Sequence, residues 1–176
     1  DDLIFVDVGQ GDCIHIRADE TDVLIDGGGN INYNVGKNTL KPYLLKNGCS
    51  RVDMAVATHL HTDHYRGIEE LEEEGMIGEI KSGLTAGTSF EIDENITIET
   101  LWPLKVVEGQ DENENCSVFM LSYDGYKILI TGDLDEKGER EMMDFYRGTD
   151  KLKADILKIG HHGSAGSTCD SFLEAV

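Results

Sequence analysis

The chain has 176 residues, 39% hydrophobic and 28% charged, which excludes an intrinsically disordered polypeptide and suffices for one domain with a real core. It has no run of 18 apolar residues, so the sequence encodes no membrane-spanning helix. Fifteen Lys and Arg against 35 Asp and Glu leave a net charge of −20, and the basic residues are scattered, so the electrostatic footprint of a nucleic-acid-binding face is not legible.

In chain order, apolar runs predict strands over 3–8 (LIFVDV), 12–17 (DCIHIR) and 22–26 (DVLID). A helix over 39–47 starts at a Thr cap and stops at Gly48. A strand over 53–58 (DMAVAT) precedes a short acidic helix over 67–74 ended by Gly75. Strands over 96–101, 116–123 and 126–131 follow, the last two joined by the Asp-Gly hairpin turn of YDGY at 123–126. A helix over 135–147 spaces Met142, Phe145 and Tyr146 helically, and a strand over 154–159 leads to a last helix beginning near Ser167 or Thr168. This order predicts two sheets with helices outside, an α/β (α+β) αββα sandwich forming a single domain over 1–176.

That last helix is still running at Val176, which predicts a missing C-terminal piece. The first residues lack the basic region and long apolar core of a secretory signal. Their abrupt start on a strand leaves room for a signal or membrane portion upstream. Cys13, Cys49, Cys116 and Cys169 show no CxxC pairing, and Cys13 and Cys116 read as buried thiols. Acidic runs at 69–74 and 108–114 read as solvated faces.

Histidine placement carries the chemistry. Of six histidines, three lie in THLHTDH at 58–64 and two are adjacent at 161–162, whereas His15 alternates with apolar neighbours and reads as an ordinary strand residue. Neutral imidazole is a good ligand for Zn²⁺ and related ions. On an extended segment His59 and His61 face one side and can grip one ion. The turn that follows lets Asp63 and His64 reach a neighbouring one. Asp133, after Gly132 at the end of a strand, can bridge two ions or ligate one. His161 and His162 also follow a strand. On an extended chain they point oppositely, so one binds metal and the other faces substrate.

THLHTDH resembles the His-x-His-x-Asp-His signature of the metallo-β-lactamase superfamily, with LIDGG at 24–28, TGD at 131–133 and a histidine after the last strand in matching order. DVGQGD at 7–12, LIDGGG at 24–29, the L-x-P-Y-L helix at 40–44, NCS at 115–117 and HHGS at 161–164 make the branch look like the hydrolase domain of ComEC-type DNA-uptake competence proteins and their soluble relatives. The resemblance runs from position 3 to 175 and implies a binuclear centre. His59 and His61 would hold the first metal, Asp63, His64 and His162 the second, with Asp133 bridging. It implies that Asp26 braces the histidine loop, the other reading being a plain turn residue. The family's C-terminal strands and helix after HHGS are absent. With no histidine between 65 and 160, the first site lacks a third imidazole, and Asn115, Cys116, Ser117 or water would complete it. An oxygen-richer site admits Mn²⁺ beside Zn²⁺, with one or two ions bound.

The expected reaction is hydrolysis. A bound metal lowers the pKa of water to about 7. The resulting hydroxide, oriented by Asp63, attacks a phosphodiester or ester, and His161 or Ser164 stabilises charge on the departing oxygen. The branch implies a phosphodiester, DNA or small. The charge of −20 disfavours long nucleic acid and favours a small diester. The alternative is a non-catalytic, metal-stabilised binding module. Localisation, as a bacterial extracytoplasmic or cytoplasmic protein, and oligomeric state stay open.

Overall fold

The computed structural model describes residues 1–109 and 111–176, and Gln110, within the acidic run 108–114, lies outside the described residues. The chain divides into two compact units, Asp1–Ser82 and Gly83–Val176, each built on one five-stranded mixed sheet.

In the first unit β1 (Asp2–Phe5), β2 (Ile14–Ala18), β3 (Thr21–Ile25), β4 (Val52–Val56) and β5 (Ile77–Lys81) lie in chain order across the sheet. The first three pair antiparallel, whereas β3–β4 and β4–β5 pair parallel. Parallel neighbours need crossovers. One is a π-helical turn, Gly36–Leu40, running into α1 (Lys41–Lys46), and the other is α2 (Thr62–Glu73). Leu24, Leu40, Leu44, Val52, Ile68 and Leu71 are fully buried between helices and sheet. Each such side chain contributes about 1.5–3 kcal/mol.

Three expectations change here. The first helix begins at Gly36, not at a Thr39 cap, because the buried Glu70 carboxylate takes the Gly36 N–H at 2.8 Å. It stops before Gly48, whose φ of +85° is the expected left-handed terminator. The acidic helix begins five residues earlier than predicted, at Thr62, so part of the metal motif is helical. Strand β5 was not predicted. Its IGEIK has little apolar character, and parallel pairing with β4 recruits it.

In the second unit the order is β10 (Ile156–Lys158), β9 (Tyr126–Ile130), β8 (Val118–Tyr123), β7 (Ile96–Trp102) and β6 (Ser89–Asp93). Among the described residues only β9–β10 is parallel, and its crossover carries α3 (Glu136–Phe145). The hairpin at 123–126 forms as expected, with Asp124 and Gly125 both at positive φ. Leu101, Trp102, Val118, Leu129, Met142 and Phe172, the last on α4 (Asp170–Ala175), build this core. On α3, Met142 is buried and the Tyr146 hydroxyl just beyond donates to the Leu101 carbonyl at 2.9 Å, but Phe145 is exposed. Cys13, Cys49 and Cys116 are buried, and all four cysteines are free thiols.

Two mixed sheets, each with its own helices, are the components of the expected αββα class.

Candidate metal centre

In the first unit, β4 delivers THLHTDH to a sheet end. His61 is extended (φ −62°, ψ 149°) and occupies the N-cap position of α2, so Thr62, Asp63 and His64 form the first helical residues. Asp63 there complements the positive helix end. The rings of His59 and His61 lie 4.9 Å apart and those of His59 and His64 4.2 Å apart, centroid to centroid. Three imidazoles therefore converge on one spot, with His59 and His64 buried.

Asp26 organises this cluster. It sits just after β3 at φ +57° and is 1% exposed. Its carboxylate accepts the Thr58 N–H at 2.7 Å, the Thr58 hydroxyl at 2.8 Å and His64 Nδ1–H at 2.8 Å. That last bond puts the ligating lone pair of His64 on Nε2. The Thr58 hydroxyl, having given its proton to Asp26, accepts from His59 Nδ1 at 3.0 Å, which fixes the same tautomer there.

The glycine-rich loops dock on this corner by backbone. Gly28 N–H donates to Asp12 and Gly27 N–H to His64. A Cβ on Gly11 would stand 1.5 Å from the Asp63 carbonyl oxygen, and one on Gly29 2.0 Å from that of Thr62. Asp12 is carried in this way to 4.0 Å from His64. Burial pushes the neighbouring Cys13 thiol pKa up, and the charges of Asp26 and Asp12 push it further. The corner thus holds negative potential that favours a cation.

In the second unit, Asp133 follows β9 and is 2% exposed. Its N–H donates to Cys116 Sγ at 3.3 Å, and the Cys116 thiol donates to the Thr131 carbonyl. His161 Nε2 lies 3.8 Å from Asp133 Oδ2 and His162 Nε2 3.7 Å from Oδ1. The paired histidines are not on an extended chain as expected. Both have left-handed φ, +47° and +51°, in a tight turn, so both rings reach the same carboxylate. The turn is held by Ser167, whose hydroxyl donates to the Gly160 carbonyl, and by Thr168, whose hydroxyl accepts the Gly160 N–H. These two residues brace the loop, and α4 starts only at Asp170.

Asn115 and Ser117 have backbone partners. Asn115 clamps Val107 through both its N–H and C=O at 2.9 Å, and the Ser117 hydroxyl donates to the Leu84 carbonyl. Ser164 is exposed, its hydroxyl accepting the Gly166 N–H within the turn. Thr58 emerges as a support that sequence reasoning did not assign, and Cys116, named there as a candidate to complete the first site, holds the Asp133 N–H. For Thr58, its place just before the first motif histidine was the available signal.

Imidazoles of fixed tautomer beside carboxylates are the donor set of a borderline ion such as Zn²⁺, so the residues fit a metal. The metallo-β-lactamase superfamily model matches residues 6–176, nearly the whole chain. The chain belongs to the metallo-β-lactamase superfamily. Within it, the chain is 28% identical over 208 aligned positions to ComE operon protein 3 of Bacillus subtilis, covering 96% of this chain and 26% of that protein. It is 30% identical to competence protein ComA of Neisseria gonorrhoeae, covering 97% and 25%. It thus spans about a quarter of the length of the curated relatives it matches. Among solved structures, metallo-β-lactamase SMB-1 bound to 2-mercaptoethanesulfonate superposes with a TM-score of 0.63 at 13% identity, over 91% of this chain and 76% of that one. The subclass B3 enzyme MEM-A1, from a soil metagenome library, gives 0.62 at 14% identity, over 91% and 76%. The fold is therefore metallo-β-lactamase-like, a fold of metal-dependent hydrolases that generally bind zinc.

Proposed function

We propose that the chain is a metal-dependent hydrolase acting on phosphodiesters, with small diesters favoured over long DNA. His59 and His61 are assigned to one ion, Asp63, His64 and His162 to a second, and Asp133 to both. The reading is carried by the converging His59, His61 and His64 rings, two of them with tautomers fixed through Asp26 and Thr58. Bound there, the metal would supply Lewis acidity and a water acidified toward neutrality.

The chain's own residues have distinct tasks. Asp26 and Thr58 hold the ligating rings in one orientation. Asp63 would orient the attacking water. His161, the more exposed of the pair by side chain, carries a proton to the departing oxygen. The relatives are competence proteins, and the branch the sequence resembles is that of DNA uptake, which supports a phosphodiester as the scissile group. A surface of −20 net charge supports a small one.

Hydrolysis of bis(p-nitrophenyl) phosphate with added Zn²⁺ or Mn²⁺ is the direct test. Turnover lost together with at least one bound ion in His61→Ala is the expected result. Turnover unchanged in that variant contradicts the assignment.

A further inference from the structure

A second group of metal-ligating side chains lies in the first unit, away from the histidine motif. His15 on β2, Asp22 on β3 and Cys49, just beyond the end of α1, each offer one ligand atom, all within 4.8 Å of one another. His15 and Cys49 are buried, and the Asp22 side chain is 21% exposed. We propose that these three residues form a second metal site, for Zn²⁺ or a similarly thiophilic divalent ion, with the fourth position open to solvent on the Asp22 side.

The hydrogen bonds show what the ion would replace. His15 Nε2 lies 2.9 Å from Asp22 Oδ1, and His15 Nδ1 lies 3.1 Å from the Tyr43 hydroxyl. Asp22 thus accepts the Nε2 proton. A divalent ion held by the three ligand atoms meets one thiolate, one carboxylate and a neutral imidazole, so the charges cancel. The Nε2 proton is not lost, because the ring shifts it to Nδ1, where the Tyr43 oxygen turns from donor to acceptor. The only proton released is the thiol proton of Cys49. A bound metal deprotonates a coordinating thiol outright.

The size is suitable. Around a tetrahedral Zn²⁺ with bonds of about 2.0–2.3 Å, ligand atoms stand about 3.3–3.8 Å apart. The three ligand atoms here lie within 4.8 Å of one another, with His15 Nε2 and Asp22 Oδ1 at 2.9 Å. Sequence separation gives the site a role. It would clip the end of α1, through Cys49, to the β2–β3 hairpin.

Co²⁺ is the probe, because only a thiolate ligand gives a cobalt charge-transfer band in the near ultraviolet. None of the residues assigned to the hydrolytic centre is a cysteine, so the two proposals fail separately. The expected result is a band at one thiolate per chain, abolished in Cys49→Ser and retained in Cys116→Ser and Asp133→Ala. In the unmutated chain, Zn²⁺ should slow alkylation of Cys49, read by peptide mass spectrometry. Absence of the band at saturating Co²⁺, its survival in Cys49→Ser, or an unchanged alkylation rate would each overturn the site.

Discussion

Asp26 shows how a single turn residue can set the chemistry of others. It touches no candidate ion, yet its two oxygens position Thr58 and His64 directly and His59 through the Thr58 hydroxyl. Asp26→Asn replaces an acceptor with an NH₂ group facing donors. Zinc affinity should fall about 10–100-fold, as for other supports of metal ligands. Stability should fall by about 1–3 kcal/mol, read from urea denaturation of the metal-free chain. Wild-type affinity in that variant would refute the role. Gly11 makes a steric counterpart. At φ +92° and against the Asp63 carbonyl, Gly11→Ala should cost at least about 2 kcal/mol and loosen the start of α2, measurable by the same denaturation. At this scale the ligand candidates were legible because histidine and aspartate announce themselves by type and spacing. The roles of Thr58, Cys116 and Asn115 were not, since ordinary polar residues reveal their partners only once the backbone brings them together.

Helix α3 illustrates what local sequence decides and what it does not. Asp135 caps it through Gly138 N–H at 2.8 Å, and Asp135→Ala should cost about 1 kcal/mol in urea denaturation. Tyr146, just past its end, has its phenol pKa raised, mainly by burial and then by Glu99. A raised folded value means that its stabilisation is complete below the ordinary pKa of about 10 and is lost as pH climbs through the folded value. Tyr146→Phe should therefore make the alkaline loss of stability shallower while removing about 1 kcal/mol at neutral pH, by thermal denaturation across pH. Strands of continuous apolar residues, such as β8 and β9, and the Asp-Gly turn between them were readable from local pattern alone. Strands β5 and β6 were not, because IGEIK and SFEID carry too few apolar residues and depend on their neighbours for a ladder. The start of α2 was hidden for another reason. Its first turn holds candidate metal ligands, Asp63 and His64, in place of helix-forming residues.

Across the whole molecule, the proposed preference for a small diester rests on charge. With −20 net charge, a long polyanion is repelled over its length, whereas a short diester is repelled little. Cleavage of a small diester should exceed that of long duplex DNA at low salt, and the ratio should shrink as salt screens the surface, measured as kcat/KM at two ionic strengths. A ratio unaffected by salt would remove charge as its cause. The order of motifs along the chain made the superfamily legible before any coordinates, because each half of the signature ends a strand of its own unit. The geometry at each motif was less legible, as the paired left-handed histidines show. The central claim, the proposed metal assignment that includes Asp133, is tested most directly by elemental analysis of the chain loaded with Zn²⁺ and dialysed, as Cys49→Ser and as Cys49→Ser with Asp133→Ala, so that the His15 group does not enter the count. The prediction is one to two ions per chain, with at least one lost on changing Asp133. Full retention of metal without Asp133, or no metal in either protein, would contradict it.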